Sequence, residues 1–152
     1  HPIGTPTRFL VGVALNMSAA DIDRELRGLD RKLAAGADFI CTMPIFEPEA
    51  LERFVTRAGS LPVPMLIGVL PLHSARHAEF LHNELPGMVI PESVRAQLRG
   101  ARDGKEAGLR LAADMLLAIR NRVAGAYLIP SFGRYDRIAD LVGEMRATLP
   151  AR

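Results

Sequence analysis

Arg134, in Ser131-Phe-Gly-Arg134, follows a short apolar run and a glycine that lets the backbone turn. A guanidinium there can clamp a carboxylate or a phosphate through two parallel hydrogen bonds. Its bland alternative is a surface arginine at a helix start, where the helix dipole is slightly unfavourable to it. Asn16, Thr42, Met43, His73 and His77 also fall at the ends of apolar runs. That is where α/β proteins bind ligands. His73 and His77 have the four-residue spacing that puts two imidazoles on one helical face, with His82 beyond. No third ligand has a fitting spacing, so no metal is assigned and the histidines read as pocket-lining or surface groups. Arg31 and Lys32, with Glu25 one to two turns earlier, present either cations for a cofactor phosphate or an ordinary solvated helix face. Spacing alone favours the solvated face. Cys41, Met43 and Phe46 read as packing residues. Gly12 and Gly68 fall inside apolar runs, as packing devices do. The sequence carries no glycine-rich phosphate loop, cysteine metal pattern or serine-nucleophile elbow.

The elements that must position these residues follow one grammar. Gly36 stops a helix, Phe39 to about Ile45 is a strand broken by Pro44, and Glu47-Pro48-Glu49 opens the next helix. Around this unit, Arg8–Leu15 is a continuous apolar run of strand length, followed by a helix capped by Ser18 with Ile22, Leu26, Leu29 and Leu33 on one face. Met65–Leu70 is the third strand, and Ser74 caps a short helix to about Glu84. A helical region broken near Gly104 runs from Glu92 to Val123, with Leu109, Ala112, Leu116, Ile119 and Val123 in its buried stripe. Ala126–Ile129 is the fourth strand, and the last helix carries Ile138, Leu141, Met145 and Leu149. Residues 1–7 form a linker rich in proline, glycine and threonine. Strands alternating with helices predict a parallel sheet with right-handed crossovers. A full (β/α)8 barrel needs about 250 residues, and 152 residues with four units leave two architectures open. One is a doubly wound open sheet, and the other is half of a barrel.

Composition narrows the function classes. Net charge is +2 with interspersed signs, tryptophan is absent and tyrosines are two. No nucleic-acid surface or stacking platform is expected from that. A single cysteine precludes an internal disulfide, and no apolar run reaches membrane-spanning length. A cytoplasmic protein without a membrane partner is the expectation.

Three blocks carry a family resemblance. Ala35-Gly-Ala-Asp38 leading to Thr42-Met-Pro-Ile-Phe46 resembles the Ala-Gly-Ala-Asp…Thr-Gln-Pro-x-Phe segment of methylenetetrahydrofolate reductases. Gly68-Val-Leu-Pro-Leu72, Ala78-Glu-Phe-Leu-His-Asn-Glu-Leu-Pro-Gly87 and Ile90-Pro91 are similar to their next block. Gly125 to Arg134 is similar to their final strand and loop. The phrasing is closest to the reductase part of bifunctional homocysteine methyltransferase/reductase proteins.

The resemblance implies the C-terminal half of a flavin-dependent (β/α)8 TIM barrel, with residues 1–152 as one portion of it. It implies reduction of 5,10-methylenetetrahydrofolate to 5-methyltetrahydrofolate, in one-carbon and methionine metabolism, with FAD as cofactor and NAD(P)H as electron donor. Arg31 and Lys32 match an Arg-Lys pair that holds FAD phosphates, and Glu25 matches an acidic flavin contact. Leu15 falls where the family often has tyrosine, and Gly28 where an asparagine contacts flavin. Arg134 matches the arginine of the folate glutamate tail. Met43 replaces the glutamine that hydrogen-bonds the pterin, and His77 replaces a glutamine or asparagine. The family's catalytic carboxylates lie in its first half, so no catalytic residue is assigned here and the chain alone is expected to be inactive. Its expected partners are a folate and either the missing N-terminal half-barrel or a second copy of itself. A non-catalytic half-barrel binding folate or flavin is the alternative.

Overall fold

The structure is a computed structural model and describes residues 4, 5 and 7–148. Most of the 1–7 linker and Leu149 lie outside the described residues or at their margin. Four strands, β1 (Gly12–Leu15), β2 (Phe39–Pro44), β3 (Met65–Val69) and β4 (Gly125–Leu128), alternate with helices. These are α1 (Ile22–Ala34), α2 (Pro48–Ala58), α3 (Ala75–Glu84), α4 (Glu92–Gly100), α5 (Gly104–Ile119) and α6 (Tyr135–Thr148). All neighbouring strands are parallel, in the order β1-β2-β3-β4. That order decides between the two architectures. Crossovers of one hand that always step the same way along a sheet place every helix on the same face. A doubly wound sheet must reverse its order, and this one does not, so the fold is a half (β/α)8 barrel.

The helix-side face holds the main core. Leu15, Ile40, Met65, Ile67 and Val69 pack there with Leu29, Leu51, Phe54, Leu109, Leu116, Ile119 and Leu141. A second apolar cluster joins Phe46 and Leu72, just past β2 and β3, to Ala78, Leu81, Ile90, Val94 and Leu98 of the α3–α4 region. The opposite face carries Ala14, Phe39, Cys41, Met43 and Tyr127 around an open hollow. Here the two strand glycines act as packing sites. A Cβ on Gly12 would sit 2.4 Å from the Phe39 ring, and one on Gly68 would sit 2.8 Å from the Tyr127 hydroxyl oxygen. Tyr127 is tied across β3 by donating to the Thr42 carbonyl at 2.5 Å.

Three boundaries differ from expectation by more than one residue. Only Gly12–Leu15 of the first apolar run is strand, and Phe9 and Leu10 are 80% and 76% exposed. Val11 still pairs with Asp38, whose amide donates to the Val11 carbonyl at 2.8 Å. Upstream of Asp38 the chain is already the turn after α1, so residues 8–10 have no strand beside them. Asp21, rather than Ser18, caps α1 by accepting from the Arg24 amide at 2.8 Å. Asn16 explains the delay, because its side-chain oxygen closes a turn over the Ser18 amide at 3.0 Å. Finally, α5 ends at Ile119, short of Val123.

Pro44 leaves its own mark on β2. It has no N–H to give to the ladder, and the β2–β3 register shifts between Cys41 and Pro44. The Thr42 hydroxyl fills the gap by accepting from the Gly68 amide at 3.0 Å. Among the described residues, no helix is long and apolar enough to cross a membrane.

Candidate functional site

The C-terminal strand ends form a polar recess between the β3 and β4 loops, lined by Pro71, Leu72, His73, Lys105, Leu109, Ser131, Arg134, Arg137 and Ile138. It is a shallow recess, with a cavity volume of about 30 Å³. Close backbone packing builds it. A Cβ on Gly108 would lie 1.7 Å from the Leu72 carbonyl oxygen, and one on Gly104 would lie 3.1 Å from that of His73. The start of α5 therefore rests directly on the β3 loop, and Lys105 comes beside His73. Asp103 caps α5 by accepting from the Lys105 and Glu106 amides at 2.8 and 3.2 Å. Ser131, in a single 3₁₀ turn (Ser131–Gly133), donates to the Pro71 carbonyl at 3.3 Å and ties the two loops together.

Arg134 stands in this recess, as its sequence position suggested. Its Nε and Nη2 reach the two Asp136 carboxylate oxygens at 3.2 and 3.1 Å. The pair holds the Asp136 carboxyl below its ordinary range and raises Arg134. His73 is lowered, first by burial and further by the nearby Arg134 and Lys105 cations, although a backbone hydrogen bond opposes this.

His77 has a different placement. It is 5% exposed in the first turn of α3 and stacks on His73, with ring centroids 3.9 Å apart and planes within 4°. Burial, then the neighbouring His73, pushes its pKa down to about 4. Both rings are neutral near pH 7, and it is His73 that lines the recess. His82 is elsewhere, where its Nδ1 accepts from the Ile90 amide at 3.2 Å.

Met43 lies on the open hollow of the sheet, with Cys41 and Tyr127. Its sulfur is also 3.5 Å from where a Cβ on Gly87 would stand. Asn16 anchors that same loop by donating to the Gly87 carbonyl at 3.2 Å.

Glu25, Gly28 and Lys32 fall on one flank of α1, and Asp23 on the other flank pairs with Arg57 of α2 at 2.7 Å. The first flank therefore faces the free edge of β1. In a parallel strand, alternate residues turn their polar groups to opposite sides. Val11 faces β2, so Ala14 and Asn16 face outward. Lys32 donates to the Ala14 carbonyl at 2.7 Å, and Glu25 accepts from the Asn16 amide at 2.9 Å. Arg31 is exposed beside them, and Gly28 has room, since its nearest neighbour to an added Cβ is an Arg31 nitrogen 3.9 Å away. Leu15 is 1% exposed within the main core. The structure thus places Glu25, Gly28, Arg31 and Lys32 at the β1 edge and Arg134 in the β3–β4 recess, while Met43 lies on the open hollow, Leu15 in the core and His77 behind His73.

Lys105, Ser131 and Arg137 were not singled out by the sequence reading. Arg137 is three residues beyond Arg134, which was the available signal. Lys105 had none, because its place depends on α5 resting on the β3 loop.

The arrangement has known relatives. A family model for methylenetetrahydrofolate reductase matches residues 5–132. Methylenetetrahydrofolate reductase 2 of Schizosaccharomyces pombe is 31% identical over 112 residues, covering 67% of this chain and 17% of that protein. A solved structure described as an uncharacterized protein from Clostridium thermocellum that binds two copies of 5-methyl-5,6,7,8-tetrahydrofolic acid superposes with a TM-score of 0.70 at 16% identity. That match covers 92% of this chain and 54% of the other. The chain thus spans about half the length of one relative and about a sixth of the other. With the match over residues 5–132, the chain belongs to the methylenetetrahydrofolate reductase family.

Proposed function

We propose that this chain is the C-terminal half-barrel of a flavin-dependent methylenetetrahydrofolate reductase. In this reading residues 1–152 carry the FAD-phosphate and folate-tail side of a shared site, and a complementary half-barrel completes it. The carrying observation is the family match across residues 5–132. The reduced folate bound by the Clostridium thermocellum neighbour is the ligand class this reading takes.

The residues present fit the two assignments. Arg31 and Lys32 offer two cations at the open edge of β1, and Glu25 offers an acceptor there. Lys32 would exchange the Ala14 carbonyl for a phosphate oxygen. FAD, when bound, supplies the two-electron relay between a nicotinamide donor and the folate carbon. Arg134 takes the carboxylate tail, which must compete with Asp136 for the guanidinium. Met43 offers the pterin a packing surface, since a thioether is a weak acceptor and no donor. His77 supports the His73 ring from behind. The setting is cytoplasmic one-carbon and methionine metabolism.

Met43 also favours a second reading, a non-catalytic half-barrel that binds folate or flavin without reducing it. Absorption and fluorescence spectra during FAD titration of the chain, alone and with a complementary half-barrel, separate the two. Bound flavin with folate reduction in the completed barrel supports the reductase. Bound ligand without turnover supports the second reading. Arg134→Ala should weaken folate binding by about tenfold, the scale of a charge-assisted hydrogen bond, and leave flavin binding near wild type. Equal loss of both ligands, or of neither, would count against the assignment of Arg134.

A further inference from the structure

Met43 has no strong polar group to fix its own orientation. An unbranched thioether fills whatever space it is given, so its walls decide where it points. One wall is the backbone of the connector between α3 and α4. A Cβ on Gly87 would stand 3.5 Å from Met43 Sδ and 3.6 Å from its Cε. Gly87 has a φ of 80°, which side-chain-bearing residues rarely adopt, and the connector passes Met43 there as bare backbone.

Asn16, just past β1, holds that backbone in place. Its Nδ2 donates to the Gly87 carbonyl at 3.2 Å, across 71 positions of sequence. Its Oδ1 accepts from the Ser18 amide at 3.0 Å, and its own amide donates to Glu25 Oε1 at 2.9 Å. Both side-chain partners are backbone groups of fixed polarity, an N–H at Ser18 and a C=O at Gly87. Only a side chain with both a donor and an acceptor satisfies the two, and an ionised aspartate would face the Gly87 carbonyl with a second oxygen. Among the described residues, this is the one hydrogen bond between the connector and the β1 loop. Beyond it the two segments part, and Met17, Ser18 and Ala19 line an open groove of about 430 Å³ with Val89 and Pro91. Met88 and Ile90 bury the rest of the connector in the second apolar cluster. Losing the tether therefore frees Gly87 without dismantling the α3–α4 region. We infer that Asn16 is a positioning residue, holding the connector against Met43 and so fixing the thioether surface on which a pterin ring packs. The ring as ligand rests on the folate reading.

The test uses Asn16→Asp, which keeps the acceptor for Ser18 and removes the donor. Gly87→Ala reaches the same contact without adding a charge, because its Cβ would stand 2.9 Å from Asn16 Nδ2. Nuclear magnetic resonance follows the Met43 methyl signal and the exchange of the Met88 amide, which is bonded to the Leu85 carbonyl at 3.1 Å beside Gly87. Each variant should speed that exchange by about fivefold, the scale of one lost hydrogen bond, and shift the methyl signal. Each should bind 6-methyltetrahydropterin about fivefold more weakly and p-aminobenzoyl-glutamate, read at the His73 ring, as the wild type does. A pterin affinity unchanged in both variants overturns the inference, as does an unmoved Met43 methyl. An equal loss for pterin and tail probe also overturns it, since that marks general damage. If the wild type binds no pterin, the folate reading falls, and exchange and methyl signal decide the tether. Asn16 then still positions Met43 if both change, and does not if either stays as in the wild type.

Discussion

His77 is a buried base stacked on a second imidazole, and protonating it places a charge where burial and His73 both oppose it. In the folded chain it takes up a proton near pH 4, against 6.5 ordinarily. Between those values the unfolded chain binds more protons, so stability falls as pH falls from about 6.5 to about 4 and is unaffected by this group above that range. His73 is lowered too and adds to the same slope. Urea unfolding midpoints at pH 7 and pH 4.5 should show the loss, and His77→Gln should flatten it. An unchanged slope in that variant would remove His77 as the cause. At this scale the sequence placed Arg134 well, because a residue after a short strand has few places to go. It missed that His77 is covered while His73 lines the recess, since helical spacing gives a shared face and not which of two residues is outermost.

Helix α5 has its first turns pressed against the β3 loop, and Gly108 is the point of closest approach. A methyl group there meets the Leu72 backbone at 1.7 Å, which no side-chain rotation relieves. Gly108→Ala should therefore lower stability by about 1–3 kcal/mol, the usual cost of overpacking, and should disturb the His73 signals. Gly143, inside α6, has nothing within 4 Å of an added Cβ. Gly143→Ala should be neutral or stabilising by up to about 1 kcal/mol through helix propensity. Thermal melts of the two variants check both statements, and equal melting points would show that the α5 contact is not tight. Element identity was legible from periodicity and from Pro48 and Ser74 at the helix starts. The first strand was overextended because an apolar run looks the same whether or not a neighbouring strand lies beside it.

The half-barrel leaves one sheet face without helices, presenting Ala14, Phe39, Cys41, Met43 and Tyr127. Next to it, Phe9, Leu10 and Val11 are 80%, 76% and 52% exposed ahead of the free edge of β1. An apolar surface of this kind is a site of association, and a free strand edge is a second. The chain alone should bind a hydrophobic dye and sediment as more than a monomer, and a complementary half-barrel should suppress both effects. A dye-silent monomer in sedimentation velocity would show that the sheet face is covered some other way.

By itself the sequence determined the local grammar, since alternation, caps and prolines act within a few residues, and its three quoted blocks carried the family. The tertiary structure decided what depends on distant segments meeting. The sequential strand order chose a half-barrel over a doubly wound sheet, because only hydrogen-bonded neighbours define the direction of winding. The resting of α5 on the β3 loop brought Lys105 to a recess with Arg134 and Arg137, some thirty residues further along the chain. Pairing along β1 turned Lys32 and Glu25 toward a strand edge, where the sequence had shown only a charged helix face.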